Sequence, residues 1–162
     1  MEFLPCLRNP PPPKRRDARM HKKLFPAAAA LLGLLLAGCS HINTRSLPNA
    51  DLAAKKHVFV EHRIADSFGV ADEIARQLRV MGYDASAGAL TMMPQGTDII
   101  VSYDDMWTWD FNNYMIEIDM QVRSARNDKI LAVGHYFRPS MVFGHPPEDM
   151  IHELLTKLFK HA

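Results

Sequence analysis

Asp104-Asp105-Met106-Trp107-Thr108-Trp109-Asp110 sets three carboxylates and both tryptophans of the chain within seven residues. Indole rings beside carboxylates suit a sugar: its C–H faces stack on the rings while its hydroxyls bond the acids. The same residue types suit a protein partner, because aromatic side chains are enriched where binding energy concentrates. If a strand beginning near Asp98 continues through this segment, Tyr103, Asp105, Trp107, Trp109 and Phe111 share one face. Asp105, Trp107, Trp109 and Asp110 are therefore the candidate binding residues. A plainer reading stands beside this one. Tryptophan carries so much packing area that the rings would fill the core or cover the wet side of a sheet, with the aspartates at a hairpin end. Asp104 and Asp105 also form a carboxylate pair of the kind used in acid–base work. Neighbours along a strand point to opposite faces, however, so the two would not share one substrate.

Other reactive groups are scattered. Seven histidines follow Cys39: His41, His57, His62, His135, His145, His152 and His161. None forms an H-E-x-x-H pair or a helical i, i+4 pair. A zinc site needs three or four converging ligands. His135 and His145 with a nearby acid are the one arrangement open to it, and solvated or capped histidines are the simpler reading. The methionines, Met92, Met93, Met106, Met115 and Met120 among them, lack the M-x-M clustering of a copper stripe and read as core filler. No nucleophile elbow, phosphate loop or dinucleotide fingerprint occurs. The expectation is a non-enzyme with no metal and no cofactor.

The candidate segment must be held by a small mixed domain. His57 to His62 reads as a strand. Ser67 offers an N-cap to a helix over 68–81, with Asp72 and Glu73 near its start and Arg76 and Arg79 later. Val70, Ile74, Leu78 and Met81 make its apolar stripe, and Gly82 is placed to end it. Residues 83–97 read as loop with a short strand near Tyr83 to Ser86, and Asp98 to Tyr103 as a strand. From Tyr114 to Arg123, Ile116, Ile118, Met120 and Val122 alternate with Glu117, Asp119, Gln121 and Arg123, which predicts a half-exposed antiparallel strand. Asn127-Asp128 is a hairpin turn and Ile130 to Phe137 the return strand. Pro147-Glu148-Asp149 opens a last helix with the stripe Ile151, Leu154, Leu155, Leu158 and Phe159. The order β-α-(β)-β-β-β-α, with two amphipathic helices and a sheet wet on one side, predicts an α+β fold. It is a two-layer α/β sandwich, with a largely antiparallel sheet and both helices on one face.

The front of the chain supplies an address. Lys22 and Lys23 precede an apolar run from Leu24 to Ala37, 14 residues long. A spanning helix needs about 20, whereas the apolar core of a secretory signal needs about 7–15. Leu36-Ala37-Gly38-Cys39 closes the run and resembles the lipobox of bacterial lipoproteins. That resemblance implies cleavage before Cys39 and acylation of its sulfur and new amino group, with palmitate among the acyl chains. Each buried CH₂ contributes about 0.8 kcal/mol, so one acyl chain holds weakly and two or more hold stably. The alternative is an ordinary signal peptide cut at Ala37-Gly38. Residues 1–19, with Pro10 to Pro13 and four basic residues after Asn9, read as a mis-called start or a disordered leader, with translation beginning at Met20. Residues 20–38 are then the signal peptide, 39–56 a polar flexible tether and 57–161 one domain. Ser40, in place of an acid after the cysteine, resembles the signal for sorting to the outer membrane of Gram-negative cells.

Charge and cysteines agree with an exported domain. The chain has 19 Lys+Arg and 18 Asp+Glu, of which 7 and 2 precede Cys39, so the remainder carries four net negative charges. No basic face for nucleic acid is expected on that balance. Cys6 and Cys39 are the only cysteines, so no disulfide forms within the processed chain.

Asp105-x-Trp107-x-Trp109-Asp110, then Tyr114-Met115-Ile116, then the helix start Pro147-Glu148-Asp149-Met150, resemble a group of small, uncharacterised Gram-negative lipoproteins over roughly residues 57–160. The resemblance implies a location and a fold and no activity. The function expected is that of a non-catalytic, lipid-anchored lipoprotein of the outer membrane. It would face the periplasm and serve assembly through contacts with an envelope protein. The second expectation is a module that binds cell-wall glycan, such as peptidoglycan, through Trp107 and Trp109.

Overall fold

The computed structural model describes residues 40–48, 50–109, 112–139 and 146–160. Cys39, Asp110, Phe111 and His145, all weighed above, lie outside the described residues. Six strands form one sheet: β1 His41–Ser46, β2 His57–Glu61, β3 Asp84–Gly88, β4 Ile99–Trp109, β5 Asn113–Ser124 and β6 Ile130–Phe137. Two helices, α1 Val70–Val80 and α2 Pro147–Lys160, complete the fold. The sheet order is β1-β6-β5-β4-β2-β3. β2 is parallel to both β3 and β4, and the remaining pairs are antiparallel. This is the α+β two-layer sandwich expected from the sequence.

Both helices bury their apolar stripes in one core. Val70, Ala71, Ile74 and Leu78 of α1 join Ile151, Leu154, Leu155 and Leu158 of α2 over Val58, Val60, Val101, Ile118, Met120 and Tyr136 of the sheet. α2 sits close to β6 because residue 134 is glycine. A Cβ there would lie 2.8 Å from Leu154 Cδ1 and 3.1 Å from both terminal carbons of Leu158. Gln77 ties the helices together, its amide donating to the Glu148 carbonyl at 2.8 Å.

The start of α1 corrects the sequence reading. Ser67 is not its cap. The N-cap position falls on Gly69, and the helix start is satisfied from further back: the Asp66 carboxylate accepts the backbone N–H groups of Phe68, Val70 and Ala71 at 3.2, 3.0 and 3.0 Å. Gly69, at φ +70°, turns the chain so that a carboxylate further back reaches the first turn. The helix end follows the expected pattern, with Gly82 at φ +92° and the Tyr83 N–H bonded back to the Leu78 carbonyl at 3.0 Å.

The segment read as a flexible tether is corrected as well. Residues 41–46 form an edge strand paired with β6 from His41↔Phe137 to Ser46↔Ala132. Leu52 is fully buried and Ala50 nearly so. The domain therefore begins well before residue 57. β1 escapes a pattern search because Ile42 is its one large apolar residue, and an edge strand needs only backbone pairing and one anchored side chain.

β5 departs from simple alternation. The β4–β5 register runs Met106↔Glu117 and then Trp107↔Met115, which leaves Ile116 as the extra residue of a bulge. Met115 is therefore buried where strict alternation placed Ile116. The hairpin at 127–128 forms as expected, with Asp128 at φ +59°.

Candidate functional site

β2 pairs with β4 only over Val58–Val60, so the outer half of β4 runs beyond its neighbour. The loop of residues 62–69, which joins β2 to α1, lies along that free edge. Three successive residues on the helix side of β4 each meet one residue of the loop. The Tyr103 hydroxyl donates to Asp66 at 2.8 Å. Arg63 donates to Asp105 at 2.6 Å. Phe68 stacks on Trp107 with ring centroids 3.9 Å apart and planes at 21°. The loop is thus latched to the strand by a hydrogen bond, an ion pair and a ring stack.

The electrostatics follow from burial. The Asp66 side chain is fully buried. Burial pushes its carboxyl upward, but bonds from Ala71, Tyr103, Val70 and Phe68 outweigh this and hold it below the ordinary aspartate value. The Tyr103 phenol is pushed well above its usual range, first by burial and then by the Asp66 carboxylate that accepts its proton.

Asp105 is committed on both oxygens. One accepts from Arg63 and the other from the Trp107 indole N–H. Arg63 also reaches Asp104, at 2.8 Å. The two aspartates do face opposite sides of the sheet: the Asp105 side chain is 9% exposed and that of Asp104 75%. One guanidinium bridges them because it lies beside an uncovered strand edge. This arrangement suits holding a loop. It does not suit proton transfer, since neither oxygen of Asp105 is open to a substrate.

The proposed indole pair is divided. Trp107 packs against the core under Phe68, whereas Trp109, at the strand end, is 71% exposed. Asp105 and Trp107 are brought together with Arg63 and Phe68, and Trp109 stands apart from them. On the loop itself, Ile64 is fully exposed and Phe68 48% exposed. Arg63, Asp66 and Phe68 were not among the candidates drawn from sequence. Asp66 carried the only signal, an acid just ahead of a helix start.

Among the described residues, one group places a histidine and two acids within reach of a single ion: Glu117, Asp119 and His135, on the helix-free face. His57 and Asp84 form an exposed pair at 3.0 Å.

No protein-family model matches the sequence, and no curated protein matches it. Solved structures do match. The PelC dodecamer from Paraburkholderia phytofirmans superposes with a TM-score of 0.56 at 14% identity, over 74% of this chain and 98% of that one. The fold resembles that of PelC. A substituted PelC dodecamer from the same organism gives a TM-score of 0.52 at 13% identity, over 74% and 93% of the two chains. At such identities the likeness concerns fold alone. PelC nevertheless shares the arrangement over nearly its whole length.

Proposed function

We propose that this protein is a lipid-anchored lipoprotein of the outer membrane, facing the periplasm, which works by assembling with other copies of itself and not by catalysis. The anchor rests on Leu36-Ala37-Gly38-Cys39 and the basic and apolar segments before it. Among the described residues, no helix is long and apolar enough to cross a membrane. The observation that carries the contact role is the exposure of large apolar side chains on the loop latched to β4, Ile64 and Phe68, and at the end of that strand, Trp109. Latching lowers the ordering cost of a contact surface, which is how a preorganised patch gains affinity. The choice of a second copy as partner is supported by the likeness to PelC, a protein solved as a dodecamer.

A glycan-binding role is less well supported by the same site. One face of Trp107 is covered by Phe68 and its N–H is taken by Asp105, so Trp107 does not offer a sugar the open ring that stacking needs.

The test is site-specific photocrosslinking in host membranes. A benzophenone side chain at position 109 is expected to give a covalent adduct of two copies of the chain. The same group at Val80, exposed on α1, is expected to give none. Equal yields at both positions, or none at position 109, overturn the assignment of the contact surface.

A further inference from the structure

On the helix-free face, strand register sets polar residues in a row across four strands. Asn43 of β1 pairs with His135 of β6, His135 with Asp119 of β5, and Asp119 with Asp104 of β4. Glu117 lies two residues from Asp119 along β5 and therefore on the same face. His135 Nδ1 is 3.0 Å from Asp119 Oδ1 and 3.7 Å from Glu117 Oε1. One donor atom from each of the three lies within 4.8 Å of the others. The row floors a groove of about 700 Å³ that Asn43, Asp104, Asp119 and His135 help to line.

The charges in this row are unevenly matched. Asp104 has Arg63 at 2.8 Å. Among the described residues, no lysine or arginine pairs with Glu117 or Asp119; both turn toward one imidazole. Carboxylates directly opposite each other on an antiparallel pair, as Asp104 and Asp119 are, repel. A cation beside Asp119 would offset that repulsion.

The geometry points to a binding site for a divalent transition-metal ion of the zinc class, held by His135 Nδ1, Asp119 and Glu117. The donor set decides the class. Calcium and magnesium take oxygen ligands, whereas imidazole nitrogen with carboxylate oxygen suits zinc and its neighbours. Zinc bonds of about 2.0–2.2 Å in a tetrahedron place ligand atoms roughly 3.3–3.6 Å apart. The observed donor separations, from 3.0 Å to no more than 4.8 Å, bracket that spacing. Small side-chain movements close the difference, and the three side chains have room for them, being 27–52% exposed. Three protein ligands leave the fourth position to water from the groove. The acid sought near His135 in the sequence is thus supplied by β5 through cross-strand pairing, which no linear spacing records.

The test uses the full-length lipidated protein in detergent, stripped with a chelator and titrated with Zn²⁺ by calorimetry. One ion per chain is expected, with micromolar affinity. His135→Ala is expected to weaken binding more than about 100-fold, above the 10–100-fold range for loss of a supporting group. Glu117→Gln, a milder change, is expected to weaken it about 10-fold. Both variants should melt like the unsubstituted protein without metal, because the residues lie on the solvated face. Co²⁺ in place of Zn²⁺ should give visible absorption that disappears with His135→Ala. His57→Ala, which breaks the other exposed histidine–aspartate pair, should change nothing. Coincident isotherms for the unsubstituted protein and His135→Ala, or loss of binding with His57→Ala alone, overturn the site. So does a chain that takes up no Zn²⁺ below millimolar concentration.

Discussion

Phe68 and Trp107 stack ring on ring, 3.9 Å between centroids, and join the loop after β2 to the free edge of β4. Trp107 is thereby part of the fold and Trp109 part of the surface. Two indoles in the same short motif have different jobs, and their substitutions should separate cleanly. Trp107→Ala is expected to cost about 3 kcal/mol, the lower end for truncating a packed aromatic, because the ring is only partly buried. Phe68→Ala removes the stack and is expected to cost roughly 0.5–1.5 kcal/mol beyond the area lost. Trp109→Ala should leave the denaturant midpoint within about 0.5 kcal/mol of the starting protein, as for other surface positions. Urea unfolding of the three variants checks this. Equal losses at 107 and 109 would contradict the division.

Asp66 makes stability depend on acidity. Its folded-state carboxyl titrates below the ordinary value of 3.8 because four hydrogen bonds favour the charged form over the effect of burial. A depressed folded value contributes stability that is fully present above the unfolded value and is lost as pH falls through the folded one. The protein should therefore weaken as pH drops below about 4. Asp66→Asn should flatten part of that fall while lowering stability at neutral pH by about 0.5–2 kcal/mol, the range for a lost helix cap. Melts from pH 2 to 7 on both proteins read the difference. An identical pH profile for the two would show that Asp66 is not the group responsible.

Gly134 sets the distance between α2 and the sheet. An added methyl would sit 2.8 Å from Leu154 Cδ1, and both Leu154 and Leu158 are fully buried and cannot swing clear. Gly134→Ala is expected to destabilise by about 1–3 kcal/mol, as overpacking does. Leu155→Ala beside it should cost about 2–5 kcal/mol by the opposite fault, a cavity. Unchanged denaturant midpoints in both variants would mean α2 is not docked as described.

Some of this structure is legible in the sequence and some is not, for identifiable reasons. The stripe of α2 and the hairpin at 127–128 are local patterns, and both appear as read. β5 is legible as a strand, but its bulge moves Met115 into the core in place of Ile116, because register depends on the facing strand. β1 is hidden by its polar composition. The latch of Arg63, Asp66 and Phe68 on Asp105, Tyr103 and Trp107 joins residues about 40 positions apart. The Glu117, Asp119 and His135 group exists only through pairing of β5 with β6. Contacts made across strands leave no spacing along the chain.

The anchor has its own test. Mass spectrometry of the N-terminus from the native host should show an acylated peptide that begins at Cys39, and Cys39→Ser should leave the protein unprocessed or soluble. An unmodified peptide that begins before Cys39 would remove the anchor from the account.

The central claim is that exposed apolar side chains on the β2–α1 loop and at the end of β4, Ile64 and Trp109 among them, join copies of this chain. Native mass spectrometry of the full-length lipidated protein in detergent tests it most directly. Assemblies at integer multiples of one chain are expected. Ile64→Asp with Trp109→Asp should shift them to monomer while the melting temperature stays the same. A monomer throughout the micromolar range, or assemblies untouched by the double substitution, would contradict it.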